Sequence, residues 1–261
     1  MDVTGIFALF LSFLLIGCSA DIPPSDSMGS GSEALPSVVS VAPEPEPEPQ
    51  PGALSGMTVC LDPGHGVTTA SKQEAVSPLS DETKPAYVSG ASGKQISESE
   101  LNLQAAFRLR DQLESMGATV ILTRETVEAT VSNIERAQIA NDAGADVCIR
   151  IHADGIDNPS VHGVSVLIPT GKLLGTPSIS SPSAALGELM VNAVAAQTGA
   201  KNRGTIERSD LTGFNWSEVP CVLLEMGFLS NPDEEIAMMN PAYQDKIAAG
   251  VAEALTQWRA G

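Results

Sequence analysis

Three short apolar runs in this chain lead into an ionisable side chain: Thr58 to Asp62 into His65, Asp146 to Ile151 into His152, and Cys221 to Leu224 into Glu225. Each run is nearly unbroken in hydrophobicity, as expected for a strand covered on both faces. In open α/β sheets, sites form outside the carboxyl ends of the strands. A single His at a strand end is more often a hydrogen-bonded structural residue, but three ionisable residues converging on one edge define a candidate site. A fourth comes from Ser97-Glu98-Ser99-Glu100. Ser97 and Glu100 have capping-box spacing, which gives Glu100 a structural task. Glu98, at the first helical position, either favours the helix dipole or projects a carboxylate into the site. Two neutral imidazoles and one carboxylate match catalytic zinc, which keeps a fourth position open for water and brings the pKa of that water towards about 7. The chain has only three His, at 65, 152 and 162, so a metal site has few others to draw on.

The elements that must position these residues follow from periodicity. Leu101 to Met116 has helical spacing, with Leu101, Ala105, Leu109 and Leu113 on one stripe, and Gly117 stops it. Ala118 to Thr123 reads as a strand, Ile134 to Ala143 as a helix, Val164 to Ile168 as a strand, Ser183 to Thr198 as a helix, and Pro241 to Trp258 as a closing helix. Such alternation predicts an α/β fold with a mostly parallel sheet.

The bulk composition narrows the function. The 261 residues are 43% hydrophobic but 4% aromatic, so the core is mostly aliphatic. A net charge of −18 and the lack of a basic run argue against nucleic acid as a partner. Cys60, Cys148 and Cys221 each sit in an apolar run and read as small buried hydrophobes rather than a disulfide framework. Ahead of the domain, Phe7 to Ile16 is too short to span a bilayer and fits a signal-peptide core. It ends in Leu15-Ile16-Gly17-Cys18, which resembles a bacterial lipobox with Cys18 as the lipidated residue, although Asp2 stands where a basic residue is usual. The competing readings are a plain secretory signal or a short buried helix. Residues 19–56 hold six acids, no base and a Pro-Glu alternation from Pro43 to Pro49. They read as a disordered tether, reaching at most roughly 120 Å in polyproline II. The folded domain is expected at 57–261.

Asp62-Pro63-Gly64-His65-Gly66 after an apolar strand resembles the signature of the zinc-dependent N-acetylmuramoyl-L-alanine amidases (amidase type 3). The likeness continues in order: Glu98 four residues before Asn102-Leu103, Val120 to Arg124, Arg136 with Ala140-Asn141, Ile151-His152-Ala153-Asp154, Gly163, and Leu224-Glu225-Met226-Gly227-Phe228-Leu229-Ser230-Asn231. The resemblance implies a single α/β domain with a mixed sheet of about six strands between helices. It implies zinc held by His65, Glu98 and His152, and Glu225 as the catalytic carboxylate that takes a proton from the attacking water and returns it to the leaving nitrogen. The implied substrate is peptidoglycan, cut between N-acetylmuramic acid and L-alanine; no activating protein is identified. The alternatives are a zinc amidase or peptidase with a non-wall substrate, and an inactive wall-binding or regulatory paralogue. Several features depart from the family pattern. Asp154 replaces an Asn, and Arg150 replaces a small residue, on the face of His152 by strand alternation. Residues 68–96 form a long polar insertion expected to be a mobile loop with a functional role, whereas 169–182 is short. Asp210 to Trp216 offers a polar-aromatic edge for a sugar or peptide, with a core role for Phe214 and Trp216 as the other reading.

If Cys18 carries the anchor, Cys18→Ala releases the domain from the membrane fraction with its intrinsic activity intact. An unchanged membrane distribution, with no lipid found on the wild type, overturns that reading.

Overall fold

The computed structural model describes residues 52–67 and 70–261. The leader, Cys18 and most of the tether lie outside the described residues. In chain order the elements are β1 (Thr58–Pro63), β2 (Gln73–Ser77), β3 (Ser80–Pro85), α1 (Glu98–Ser115), β4 (Thr119–Leu122), α2 (Asn133–Asp142), β5 (Val147–Asp154), β6 (Val164–Pro169), α3 (Ser180–Thr198), β7 (Asn202–Arg208), α4 (Thr212–Asn215), β8 (Cys221–Phe228), α5 (Pro232–Met239) and α6 (Pro241–Ala260). Among these helices none is long and apolar enough to cross a membrane.

Six strands form one sheet in the order β4-β1-β5-β8-β6-β7. All neighbours are parallel except β6 and β8, so the sheet is mixed and mostly parallel, as expected. One face packs on α1, α3 and α6 through Val59, Leu61, Ile149, Ile151, Val222 and Leu224. The other meets α2 and α4 through Cys60, Cys148, Cys221, Leu223, Ala140 and Phe214. The three cysteines are free, buried and side by side in register, and serve as small apolar residues. The predicted stripe Leu101, Ala105, Leu109 and Leu113 is fully buried. Gly117, at φ +90°, ends α1. Its N–H donates to Glu114 O (2.9 Å) and that of Ala118 to Leu113 O (3.1 Å), a Schellman closure that needs the left-handed residue. The packed unit also takes in Leu54, fully buried and three residues ahead of the boundary read from the sequence.

Two expectations change. His152 and Glu225 do not follow their strands but lie inside them, because β5 runs to Asp154 and β8 to Phe228. The polar insertion is not an open loop: β2 and β3 form an antiparallel hairpin closing at Pro78-Leu79. The hairpin is tied down by Trp216 Nε1 donating to Ala75 O (3.0 Å), Asn215 Nδ2 to Val76 O (2.9 Å), Ser77 Oγ to Leu173 O (2.5 Å) and Asn133 Nδ2 to Glu74 Oε1 (2.8 Å). Phe214 is a core residue, and Trp216 spends its indole N–H on the hairpin, so the polar-aromatic edge is structural.

Trp216→Phe keeps an aromatic side chain but leaves the Ala75 carbonyl without its indole donor. We expect faster amide exchange across residues 73–85 and a stability loss of about 1 kcal/mol. Unchanged exchange would show that the remaining contacts hold the hairpin alone.

Candidate metal centre

The register of the sheet sets the first distances. His152 on β5 lies directly beside Glu225 on β8, and Ser165 on β6 lies on the far side of Glu225. His65 enters from the turn after β1, and Glu98 from the first position of α1. Ser97 caps that helix by accepting from the Glu100 N–H (3.3 Å), while the Glu100 carboxylate accepts from Gln104 Nε2 (3.5 Å). Glu98 is therefore free to turn inward.

His65, Glu98 and His152 form a cluster whose ligand atoms all lie within 4.8 Å of one another. Glu98 Oε1 is 3.2 Å from His65 Nε2 and 3.0 Å from His152 Nδ1. The same oxygen accepts from Ala153 N (3.2 Å) and Asn102 Nδ2 (3.4 Å), and Oε2 accepts from Ala91 N (2.7 Å). The two rings meet edge to face, 4.7 Å between centroids. His65 Nδ1 lies 2.8 Å from Val88 O. A carbonyl only accepts, so Nδ1 donates to Val88 O, and Nε2 is the nitrogen that faces Glu98. Burial lowers the pKa of His152 despite the nearby Glu98 carboxylate, favouring the neutral ring. Its Nε2 is buried with no hydrogen-bond partner among the described residues. Burial alone would raise the pKa of Glu98, but the two histidines outweigh it and keep the group ionised. The cluster thus gathers one carboxylate and two imidazole nitrogens at one point, a donor set that a cation satisfies and that suits zinc in particular. His162 is exposed, with Nδ1 3.0 Å from Ser160 O, and takes no part.

Glu225 is different. Burial and the negative charges of Glu98 and Asp154 raise its pKa well above the usual carboxylate range. Its Oε2 is buried with no hydrogen-bond partner among the described residues. It lies beside the cluster, paired with His152 on the next strand, and is not one of the three clustered groups.

The turn that delivers His65 is strained and braced. His65 is the one non-glycine among the described residues with positive φ, +63°. Such a conformation costs of order 1–3 kcal/mol unless the surroundings impose it. Gly64 must lack a side chain, since a Cβ there would meet the His152 ring. Arg124 donates to the carbonyls of Pro63 (2.8 Å), Gly64 (3.0 Å) and Ser99 (2.6 Å). Arg136 donates to Pro63 O (2.8 Å), His65 O (2.7 Å) and Asp62 Oδ1 (2.6 Å). Arg150, unexplained by the family pattern, donates from Nε to Asp62 Oδ2 (2.8 Å). Asp62 is wholly buried and also accepts from Thr123 Oγ1 (2.6 Å). Burial works against its charge, but Arg136 and Arg150 hold its pKa far below the ordinary value. Sequence reasoning missed the bracing by the Val88 carbonyl and the Ala91 N–H, because backbone partners leave no residue signature.

An α/β sheet that gathers two imidazoles and two carboxylates at one edge carries a candidate hydrolase site. The chain belongs to the N-acetylmuramoyl-L-alanine amidase family, whose model matches residues 59–257. It is 29% identical over 196 residues to N-acetylmuramoyl-L-alanine amidase LytC of Bacillus subtilis, covering 75% of this chain and 34% of that protein. It therefore spans about a third of the length of LytC. It is 29% identical over 209 residues to N-acetylmuramoyl-L-alanine amidase Rv3717 of Mycobacterium tuberculosis, covering 76% and 86%. The crystal structure of the amidase Ami1 from Mycobacterium smegmatis superposes with a TM-score of 0.72 at 28% identity, over 78% of this chain and 97% of that one.

Asp62→Asn strands two buried guanidinium groups, and we expect it to cost about 3–5 kcal/mol near neutral pH. The folded pKa of Asp62 lies below its unfolded value, so its contribution is fully present above about pH 4 and fades as pH falls towards the folded value. Denaturant melts of both proteins should differ by a constant amount from pH 6 to 8 and converge below about pH 4. A gap that persists undiminished in acid contradicts the assignment.

Proposed function

We propose that this chain is a zinc-dependent N-acetylmuramoyl-L-alanine amidase, hydrolysing the amide between N-acetylmuramic acid and L-alanine in peptidoglycan. The observation that carries the reading is His65, Glu98 and His152 in one metal-sized cluster, with Glu225 beside His152 on the next strand. Family membership supplies the substrate class. His65, Glu98 and His152 would hold the zinc, which supplies Lewis-acid polarisation of the scissile carbonyl and acidifies the attacking water.

The chain's own residues do the rest. Val88 O fixes the His65 tautomer, and Asn102 and the Ala153 N–H orient Glu98. Glu225 takes a proton from the attacking water as the tetrahedral centre forms, then returns it to the departing L-alanine nitrogen. Its buried surroundings raise its proton affinity, which favours the first of these steps, the taking of the proton. The sequence features ahead of the domain support export, with Cys18 as the membrane anchor and residues 19–56 as the tether through which the enzyme reaches the wall.

Metal content and wall-digestion products of two variants test the roles. Glu98→Ala should lose zinc and activity together. Glu225→Ala should keep nearly one zinc per chain while turnover falls by at least about 10²-fold. Zinc loss in Glu225→Ala, with zinc and activity retained in Glu98→Ala, would overturn the two assignments and make Glu100 the first alternative ligand to test.

A further inference from the structure

Beside the metal cluster, on the α2/α4 face, lies a cavity of about 230 Å³. His65 and His152 form one part of its wall, and Lys84, Arg136 and Arg150 form another, with Asn133, Tyr87 and Leu211 between. No Asp or Glu is among its lining residues, in a chain of net charge −18. Behind the wall, Asp62 is one carboxylate shared by both Arg136 and Arg150, and Glu74 bonds Asn133 from outside the cavity.

Arg150 is only 5% exposed. Its Nε is committed to Asp62 and its Nη2 lies 3.3 Å from Asn133 Oδ1, while Nη1 has no acceptor among the described residues. Gly213 on α4 makes room for this guanidinium, since a Cβ there would collide with it. Lys84 reaches the cavity from β3, with Nζ donating to Asp210 O (2.8 Å). One ammonium and one partly uncommitted guanidinium thus share a small cavity, a pairing that suits a carboxylate.

We propose that this cavity is a subsite for the free α-carboxylate of the second, acidic residue of the peptide stem, held by Lys84 and Arg150. The inference rests on the amidase reading, which sets the substrate. The sugar side of the scissile bond is neutral; the peptide side carries acid. From the scissile carbonyl carbon to that carboxylate is two residues of chain, roughly 7 Å when extended. Arg150 stands two strand positions from the ligand His152, a rise of about 6.6 Å on the same face. The subsite therefore selects stems whose second residue keeps its acid over stems in which it is amidated.

Calorimetry on the zinc-loaded chain with L-Ala-D-Glu and L-Ala-D-isoglutamine tests this without turnover. The acid should bind at least roughly tenfold more tightly, and Lys84→Gln and Arg150→Gln should each bring the two peptides towards parity. The same ratio should appear in kcat/KM on the matching muramoyl peptides. Lys84 lies on the hairpin, outside the buried Asp62 pair, so its variant tests the idea even if Arg150→Gln fails to fold. Equal affinities in the wild type, or an undiminished preference in Lys84→Gln, overturn the proposal. If wall digestion yields no new L-alanine ends while the peptide preference stands, the amidase reading fails and the carboxylate subsite survives.

Discussion

One buried carboxylate organises the active edge of the sheet. Asp62 has no exposure, and burying it without partners would be prohibitive. Thr123, Arg136 and Arg150 converge on its two oxygens, from just after β4, from the first turn of α2 and from the middle of β5. Arg136 also reaches the carbonyls of Pro63 and His65, and Arg124 those of Pro63 and Gly64. The turn that carries His65 in a left-handed conformation is thus held by the same charges that Asp62 makes tolerable. Breaking such a set by removing one partner costs more than its formation contributes, because the remaining charges stay buried.

The α2/α4 face of the sheet is built in rows. Cys60, Cys148 and Cys221 form an apolar row; Asp62, Arg150 and Leu223 form the next; His152, Glu225 and Ser165 form the row at the active edge. Polarity rises along the strands towards that edge. The ladder spacing of about 4.8 Å places Glu225 beside His152 with no loop between them. Rigid placement of this kind is what the proposed proton transfer by Glu225 relies on.

The insertion between the first two ligands belongs to this frame. The segment after the hairpin contributes Val88 O to His65 and Ala91 N to Glu98. It is pinned further on by Glu235, whose buried Oε1 accepts from Gln95 N (2.6 Å). The hairpin itself leans on α4 and the start of α2 and presents Lys84 to the cavity. A segment that reads as polar and loose in sequence therefore orients His65 and Glu98 and supplies one wall of the cleft.

The sequence by itself determined much of this protein. Unbroken apolar runs identified the buried parallel strands, the Leu101 to Leu113 stripe identified α1, and ordered motifs named His65, Glu98, His152 and Glu225. These signals are local: each depends on which face a residue presents, and periodicity encodes faces. What the tertiary structure alone decided lies between elements. That His152 and Glu225 sit within strands and adjacent in register, that Arg150 shares Asp62 with Arg136, and that residues 73–85 pair as a hairpin all depend on partners distant in the chain. The β3 segment Ser80–Pro85 has no alternation to read because most of it faces solvent. The charge of Arg150 could be read in the chain, but its meaning could not, since a buried cation is defined by the carboxylate it meets and by the cavity it lines.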